Sequence, residues 1–283
     1  MKRIVSIQDF SCIGKCSQSI ALPVLSAMGL ECAALPTVLL SAHTAFDGFY
    51  SRELTDSIAP ITDHWKKLGV RFDAIYTGYL GSAEQIALVE QVIADFGADG
   101  ALIFVDPVMA DHGKLYAGFA PDFPEQMKSL CRRADVITPN VTEACLLTGE
   151  PYRERHEESF VRRLLEQLRL LGAKTAIVTG VRTDDAHMGV AAMDEAGRFS
   201  LHETEYIPSV FYGTGDLFAS TCAGALVRGL PAEKAIALAA DYVLQTIRVT
   251  AGDPAARWYG VNFEQTLPYL MKRLGSLRGS GEA

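Results

Sequence analysis

The sequence predicts an α/β fold: a mainly parallel central sheet with helices on both faces and an antiparallel edge. Three observations carry that expectation. Short β-rich runs alternate with longer helical patterns along most of the chain. Several of the short runs are apolar on successive residues, as strands buried on both faces are. After residue 185 the alternation gives way to a hairpin pattern. Strand–helix–strand alternation yields parallel sheets, in which active groups gather where strand C-termini meet helix N-termini.

Taken in order, strands are expected at 4–7, 31–38, 74–77, 101–105, 136–138 and 175–178. Helices are expected between them at 18–27, 83–95, 124–133, 142–147 and 159–171. In the last of these, Phe160, Leu164, Leu165, Leu168 and Leu171 recur near helical spacing, while Arg162, Arg163, Glu166 and Arg169 take the other face. Runs 189–193 and 199–206, joined by a turn at 194–197, read as the antiparallel edge. Two long helices follow, 215–228 and 232–250, divided by Gly229-Leu230-Pro231, a stop signal and then a start signal. A last helix covers 263–274, and the Gly/Ser-rich tail 275–283 is expected to fray. No linker, repeat or charge block divides the chain, so 1–274 reads as one domain.

Composition narrows the partners. The chain has 283 residues, 49% of them hydrophobic, with 34 acids against 26 bases for a net charge of −8. That balance argues against nucleic acid or an anionic membrane as the main partner. No run approaches the roughly 18 apolar residues of a membrane span, and the first residues do not read as a signal peptide. The six scattered cysteines then read as reduced thiols in a cytoplasmic, globular protein. Cys12 and Cys16 have no second Cys or His pair to complete a zinc site.

The most informative segment is Phe211-Tyr212-Gly213-Thr214-Gly215-Asp216-Leu217-Phe218. Its glycines allow a tight turn that leaves backbone N–H groups free at the mouth of an apolar helix, a natural anion cradle. Asp216 sits in the first turn, as an N-terminal acid or as a base beside the cradle. For phosphoryl transfer the parts fit: amides hold charge on the transferring group, and the carboxylate takes the acceptor's proton. The segment is neither a G-x-G-x-x-G nor a Walker A loop, and the chain has no G-x-S-x-G and no H-E-x-x-H.

Three more segments sit at expected strand ends. Asp106-Pro107-Val108-Met109 puts a carboxylate just past a strand. In Thr138-Pro139-Asn140-Val141-Thr142-Glu143, the acid is either half of a capping box with Asn140 or a group beside hydrated Mg²⁺. Thr77-Gly78-Tyr79-Leu80-Gly81-Ser82 offers an aromatic that is either core or pocket wall. Asp9 follows a buried strand, where an acid points to a ligand role; His43 reads as a surface or capping residue.

Together these segments resemble the pyridoxal/pyridoxamine (vitamin B6) kinases of the ribokinase superfamily. Gly213-Thr214-Gly215-Asp216 is similar to that superfamily's anion hole and base, and the other three match in order and spacing. Pro36-Thr37-Val38-Leu39-Leu40-Ser41-Ala42-His43-Thr44 resembles the family's P-T-V-Q-x-S-N-H-T, and the likeness spans residues 4–250. It implies a ribokinase-like fold and ATP-dependent phosphorylation of the 5′-hydroxymethyl group of pyridoxal, pyridoxamine or pyridoxine. Asp216 would be the base, and Gly213, Thr214 and Gly215 would hold the γ-phosphoryl. Asp106, Thr138, Glu143 and Thr179 would lie along the nucleotide phosphates, with Glu143 and Asp106 toward the metal. Asp9, Ser11, Thr44 and Tyr79 would surround the pyridine ring. The resemblance also implies a homodimer using ATP and Mg²⁺, often with a monovalent cation such as K⁺.

The chain departs from the pattern at Asp9 (for Ser), Leu39 (for Gln), Ala42 (for Asn) and Thr179 (for Lys). Hydroxymethylpyrimidine kinase shares the anion hole and is the nearest alternative. A sugar kinase would need a more polar first 50 residues. A non-catalytic pyridoxal phosphate binder, or a Schiff base on Lys15, would not need the base.

Overall fold

The computed structural model describes residues 1–98 and 100–279. In chain order the elements are β1 (Arg3–Ser11), α1 (Gln18–Ala27), β2 (Glu31–Leu40), β3 (Ser51–Glu53), α2 (Thr55–Lys67), β4 (Ala74–Thr77), α3 (Ala83–Phe96), β5 (Leu102–Val105), β6 (Ala110–Asp111) and β7 (Lys114–Leu115). There follow α4 (Phe123–Cys131), β8 (Val136–Ile137), α5 (Val141–Thr148), α6 (Glu158–Leu170), β9 (Thr175–Val181), β10 (His187–Met193), β11 (Phe199–Glu205), α7 (Thr214–Val227), α8 (Ala232–Gly252) and α9 (Phe263–Gly279).

The described strands form a nine-stranded sheet in the order β11-β10-β9-β8-β5-β4-β1-β2-β3, with β6 and β7 as a separate hairpin. From β9 to β2 the pairings are parallel; β10 and β11 add the expected antiparallel edge. A second antiparallel edge, unforeseen in the sequence, comes from β3 against β2.

Alternation splits the apolar strand residues into two cores. Val5, Ile7, Ile75, Ile103, Val105, Ile137 and Val178 face one layer, which includes Ile58 of α2, Val89 of α3, Met127 of α4 and Leu164 of α6. Ile4, Tyr76, Phe104, Val136 and Ile177 face Ile20 of α1, Leu217 and Cys222 of α7, Ala239 of α8 and Leu270 of α9. Helices therefore cover both faces, as a parallel sheet requires.

Several boundaries differ from the sequence reading. β1 runs on to Ser11, past a register shift between Gln8 and Phe10, because Phe10 and Ser11 still pair with Leu39 and Leu40 of β2. Asp9 and Ser11 therefore sit within a strand end rather than after it. β3, α2 and the β6–β7 hairpin were not foreseen. α9 continues to Gly279, so residues 275–279 of the expected frayed tail are helical; 280–283 lie outside the described residues. No described helix is long and apolar enough to cross a membrane.

Candidate active site

The strand C-termini and the start of α7 meet at one place. Asp106 lies two residues past Phe104, Thr138 two past Val136, and Thr179 two past Ile177. Alternation puts all three on the face that α7 covers. Thr179 donates its N–H to Pro139 O at 3.0 Å and bridges Asn140 in register. The Thr138 hydroxyl is buried beside the Asp106 carboxyl, whose pKa it pulls down.

α7 begins at Gly213, with φ 83° and no side chain to cap the helix. A Cβ there would run into the Lys15 carbonyl and Ile20, so the left-handed conformation and the close approach both demand glycine. Thr214 donates its hydroxyl to Phe211 O at 3.3 Å. A Cβ at the exposed Gly215 would meet nothing within 4 Å, so space is open over the first turn. First-turn N–H groups have no intrahelical partner, and here no side chain takes their place.

Asp216 is half-buried in that turn, its carboxyl pushed up to about 7 by burial and then by the charge of Asp9, while the Ser17 N–H pulls it down. Asp9, 4% exposed, is raised by burial against the opposing bonds of the Ser17 and Ser11 hydroxyls. Ser11 donates to Asp9 Oδ2 at 3.3 Å. Asp106 is driven well above the usual carboxylate range by burial and by Glu143 and Asp216. None of the ion pairs among the described residues involves these acids, so burial and their mutual repulsion favour the protonated forms.

Glu143 is the N3 half of a capping box with Asn140. Its Oε1 accepts from Met109 N at 3.0 Å and its Oε2 from Asn140 N at 2.9 Å. Burial nonetheless raises its carboxyl. The structural role foreseen as one of its two options is therefore present, and its oxygens are largely committed.

Near Asp9, the Tyr79 ring meets Phe119 at 5.5 Å, and burial and Asp9 raise its phenol. Thr44 is exposed on a turn, apart from the buried groups. His43, read as a surface or capping residue, is 6% exposed. Its Nδ1 accepts from Ala45 N at 2.9 Å, and its ring meets Tyr212 edge-on at 4.9 Å. Lys15 Nζ is committed to Asn262 Oδ1 at 3.2 Å and Glu264 Oε2 at 2.9 Å.

Two residues that sequence reasoning missed lie behind these groups. Ser17 touches both Asp9 and Asp216. Gln85 of α3 ties together β2, α2 and the loop after β4: its Nε2 donates to Thr37 O and Thr55 Oγ1, both at 3.0 Å, and its Oε1 accepts from Gly81 N at 2.8 Å. An amide that close after Gly81-Ser82 was the available signal.

Among the described residues no group of three or more His, Cys, Asp and Glu side chains forms a metal cage. The donors present are hard oxygens, the Asp106 carboxylate and the Thr138 hydroxyl, which suit a hydrated Mg²⁺ carried on phosphates rather than one held by protein alone.

The family described as phosphomethylpyrimidine kinase matches residues 59–258. A pyridoxine/pyridoxal/pyridoxamine kinase of Bordetella avium is 31% identical over 87% of this chain and 85% of its own. A Bacteroides thetaiotaomicron protein described as a candidate phosphomethylpyrimidine kinase, crystallised with pyridoxal, is 38% identical with TM-score 0.91, covering 95% of each chain. The pyridoxal kinase of Lactobacillus plantarum is 33% identical with TM-score 0.87, over 96% of this chain and 97% of that one.

Proposed function

The chain belongs to the pyridoxal kinase family of the ribokinase superfamily, and on that premise we propose that Asp216 and the open start of α7 carry ATP-dependent phosphorylation of a B6 vitamer at its 5′-hydroxymethyl group. The observation that carries this reading is a helix N-terminus without a cap, opening beside a carboxyl pushed up to about 7. A base with that pKa is substantially ionised near neutrality yet strong enough to receive a hydroxyl proton as the new bond forms. The N–H groups of Gly213, Thr214 and Gly215 would meet the charge that develops on the transferring phosphoryl group.

Asp106, Thr138 and Thr179 line the nucleotide side, with Asp106 toward the metal and Glu143 holding the Met109–Ala110 backbone in place. When bound, Mg²⁺ offsets phosphate charge that the acidic site would otherwise repel. Asp9, Ser11 and Tyr79 line the acceptor pocket. Asp9 fits a ring nitrogen or amine that brings a proton, because its carboxylate has hydroxyl partners but no cation. Thr44, exposed on its turn, belongs to the same acceptor-side reading. A K⁺ requirement, a homodimer and a cytoplasmic setting belong to the same reading; the six cysteines are free thiols.

Hydroxymethylpyrimidine is the second reading, favoured by the description of the matching family. A coupled ADP-release assay with Mg·ATP against pyridoxal, pyridoxamine, pyridoxine and hydroxymethylpyrimidine separates the two. Turnover on a B6 vitamer is expected. Turnover on the pyrimidine alone would transfer the enzyme to the second reading, and none on any of the four would leave a non-catalytic binder.

A further inference from the structure

Ser17 precedes α1 and has φ 46° and ψ −125°, a backbone conformation suited to glycine. Among the described residues, only His112 shares a positive φ without being glycine. A serine before a helix ordinarily caps it, yet the Ser17 side chain makes no capping bond. Its hydroxyl lowers the Asp9 carboxyl and its N–H lowers that of Asp216, and two residues earlier the Lys15 carbonyl lies against Gly213 at the start of α7. The residue is 6% exposed.

We propose that Ser17 is a positioning residue for the base: its left-handed backbone aims the N–H at the Asp216 carboxylate, and its hydroxyl holds Asp9 beside it. Strain of this kind persists only where the surroundings fix the chain, and here they do. The Ile13 carbonyl accepts from His43 N and the Cys12 N–H donates to Leu40 O, both at 2.8 Å. Lys15 is pinned by Asn262 and Glu264, its carbonyl lies against Gly213, and its stem lies against Gly260. The Ser19 hydroxyl donates to Cys16 O at 2.7 Å. On the other side, the Ser17 carbonyl accepts from Ile20 N at 3.0 Å and Ala21 N at 2.9 Å, so its peptide cannot rotate without unwinding the start of α1. The same loop thereby touches the anion cradle, the base and the acceptor-side acid.

The inference rests on Asp216 being the base, and its test is chosen to fail separately. Ser17→Gly adopts the conformation without strain and keeps the N–H, whereas Ser17→Val disfavours it and turns the amide away. For the full-length enzyme with Mg·ATP and pyridoxal, Ser17→Gly is expected to keep kcat within about twofold, to raise the KM for pyridoxal, and to leave Tm unchanged or higher. Ser17→Val is expected to lose roughly tenfold or more in kcat at an unchanged KM for ATP, since small misplacement of a catalytic group is costly. Should Ser17→Val not fold, Ser17→Ala is measured instead, with a smaller loss in kcat that glycine restores. A purely structural serine would move Tm in these variants but not the kcat of folded enzyme. Wild-type kcat in the valine or alanine variant, or an equal loss in the glycine variant, overturns the proposal. Full activity in Asp216→Asn would instead overturn the base itself.

Discussion

Two helices bring their N-termini to the site, and they begin in opposite ways. α5 is closed: Asn140 accepts from Glu143 N at 2.9 Å, and Glu143 reaches back to Asn140 N at 2.9 Å. α7 is open: Gly213 has no side chain, and nothing stands over Gly215. Both carry an acid in the first turn, Glu143 in one and Asp216 in the other. The difference teaches that a first-turn acid is structural where it closes its own helix start. It is chemical where that start stays open beside it, as at Asp216, whose carboxyl takes the Ser17 N–H but caps nothing. Perturbing α7 should therefore cost rate, and perturbing α5 should cost stability.

Beside loss of the base itself, the largest expected break is Gly213→Ala. Its Cβ has no room against the Lys15 carbonyl at φ 83°, so the first turn must shift. Losing one aligned donor of this kind costs about 10²–10³ in kcat, and kcat near wild type would show that the cradle does not act. Next is Asp9→Asn. The Asp9 charge raises the Asp216 carboxyl, so removing it moves the acid limb of kcat/KM, expected near pH 7, to lower pH. A pH profile that does not move separates the two acids functionally.

Stability sharpens the contrast further. Asp216 lies at about 7 in the folded state against an ordinary value of 3.8. The folded state thus holds its proton longer, and stability is lost as pH rises from about 4 through about 7. Asp216→Asn removes that loss, so its Tm should exceed wild type at pH 8, by ~2–4 °C, with the gap closing at pH 5. An equal Tm difference at both pH values would contradict the shift. The smallest effect is expected at α5: Glu143→Gln weakens the capping box by about 1 kcal/mol, readable as a lower denaturant midpoint with kcat changed only a few-fold. A loss in kcat as large as that at Gly213 would mean that Glu143 acts on the nucleotide directly.

Much of this was legible before the fold was seen. Gly213–Asp216, Asp106, Thr138 and Asn140–Glu143 were placed because strand ends and helix starts leave local signals in glycine, proline and capping residues. Alternation and successive apolar runs gave the parallel sheet for the same reason. The segments around Asp9 and Ser17 were read less well because their geometry is not local. β1 reaches Ser11 only through pairing with β2 beyond a register shift, which no run of residues announces. α2 was missed because Pro60 interrupts a mostly polar pattern, and its burial of Ile58 depends on the sheet. Ser17 looked like an ordinary serine before a helix; its role follows from a backbone angle and from two acids that the fold brings together.

The central claim is that Asp216 takes the acceptor's proton, and the direct measurement is kcat for Asp216→Asn beside wild type, with Mg·ATP and saturating pyridoxal at pH 7.5. A loss of about 10²–10⁴, with both KM values within a few-fold and Tm no lower than wild type, is the predicted result. Near-normal turnover in the folded variant would contradict it and move the base to another residue.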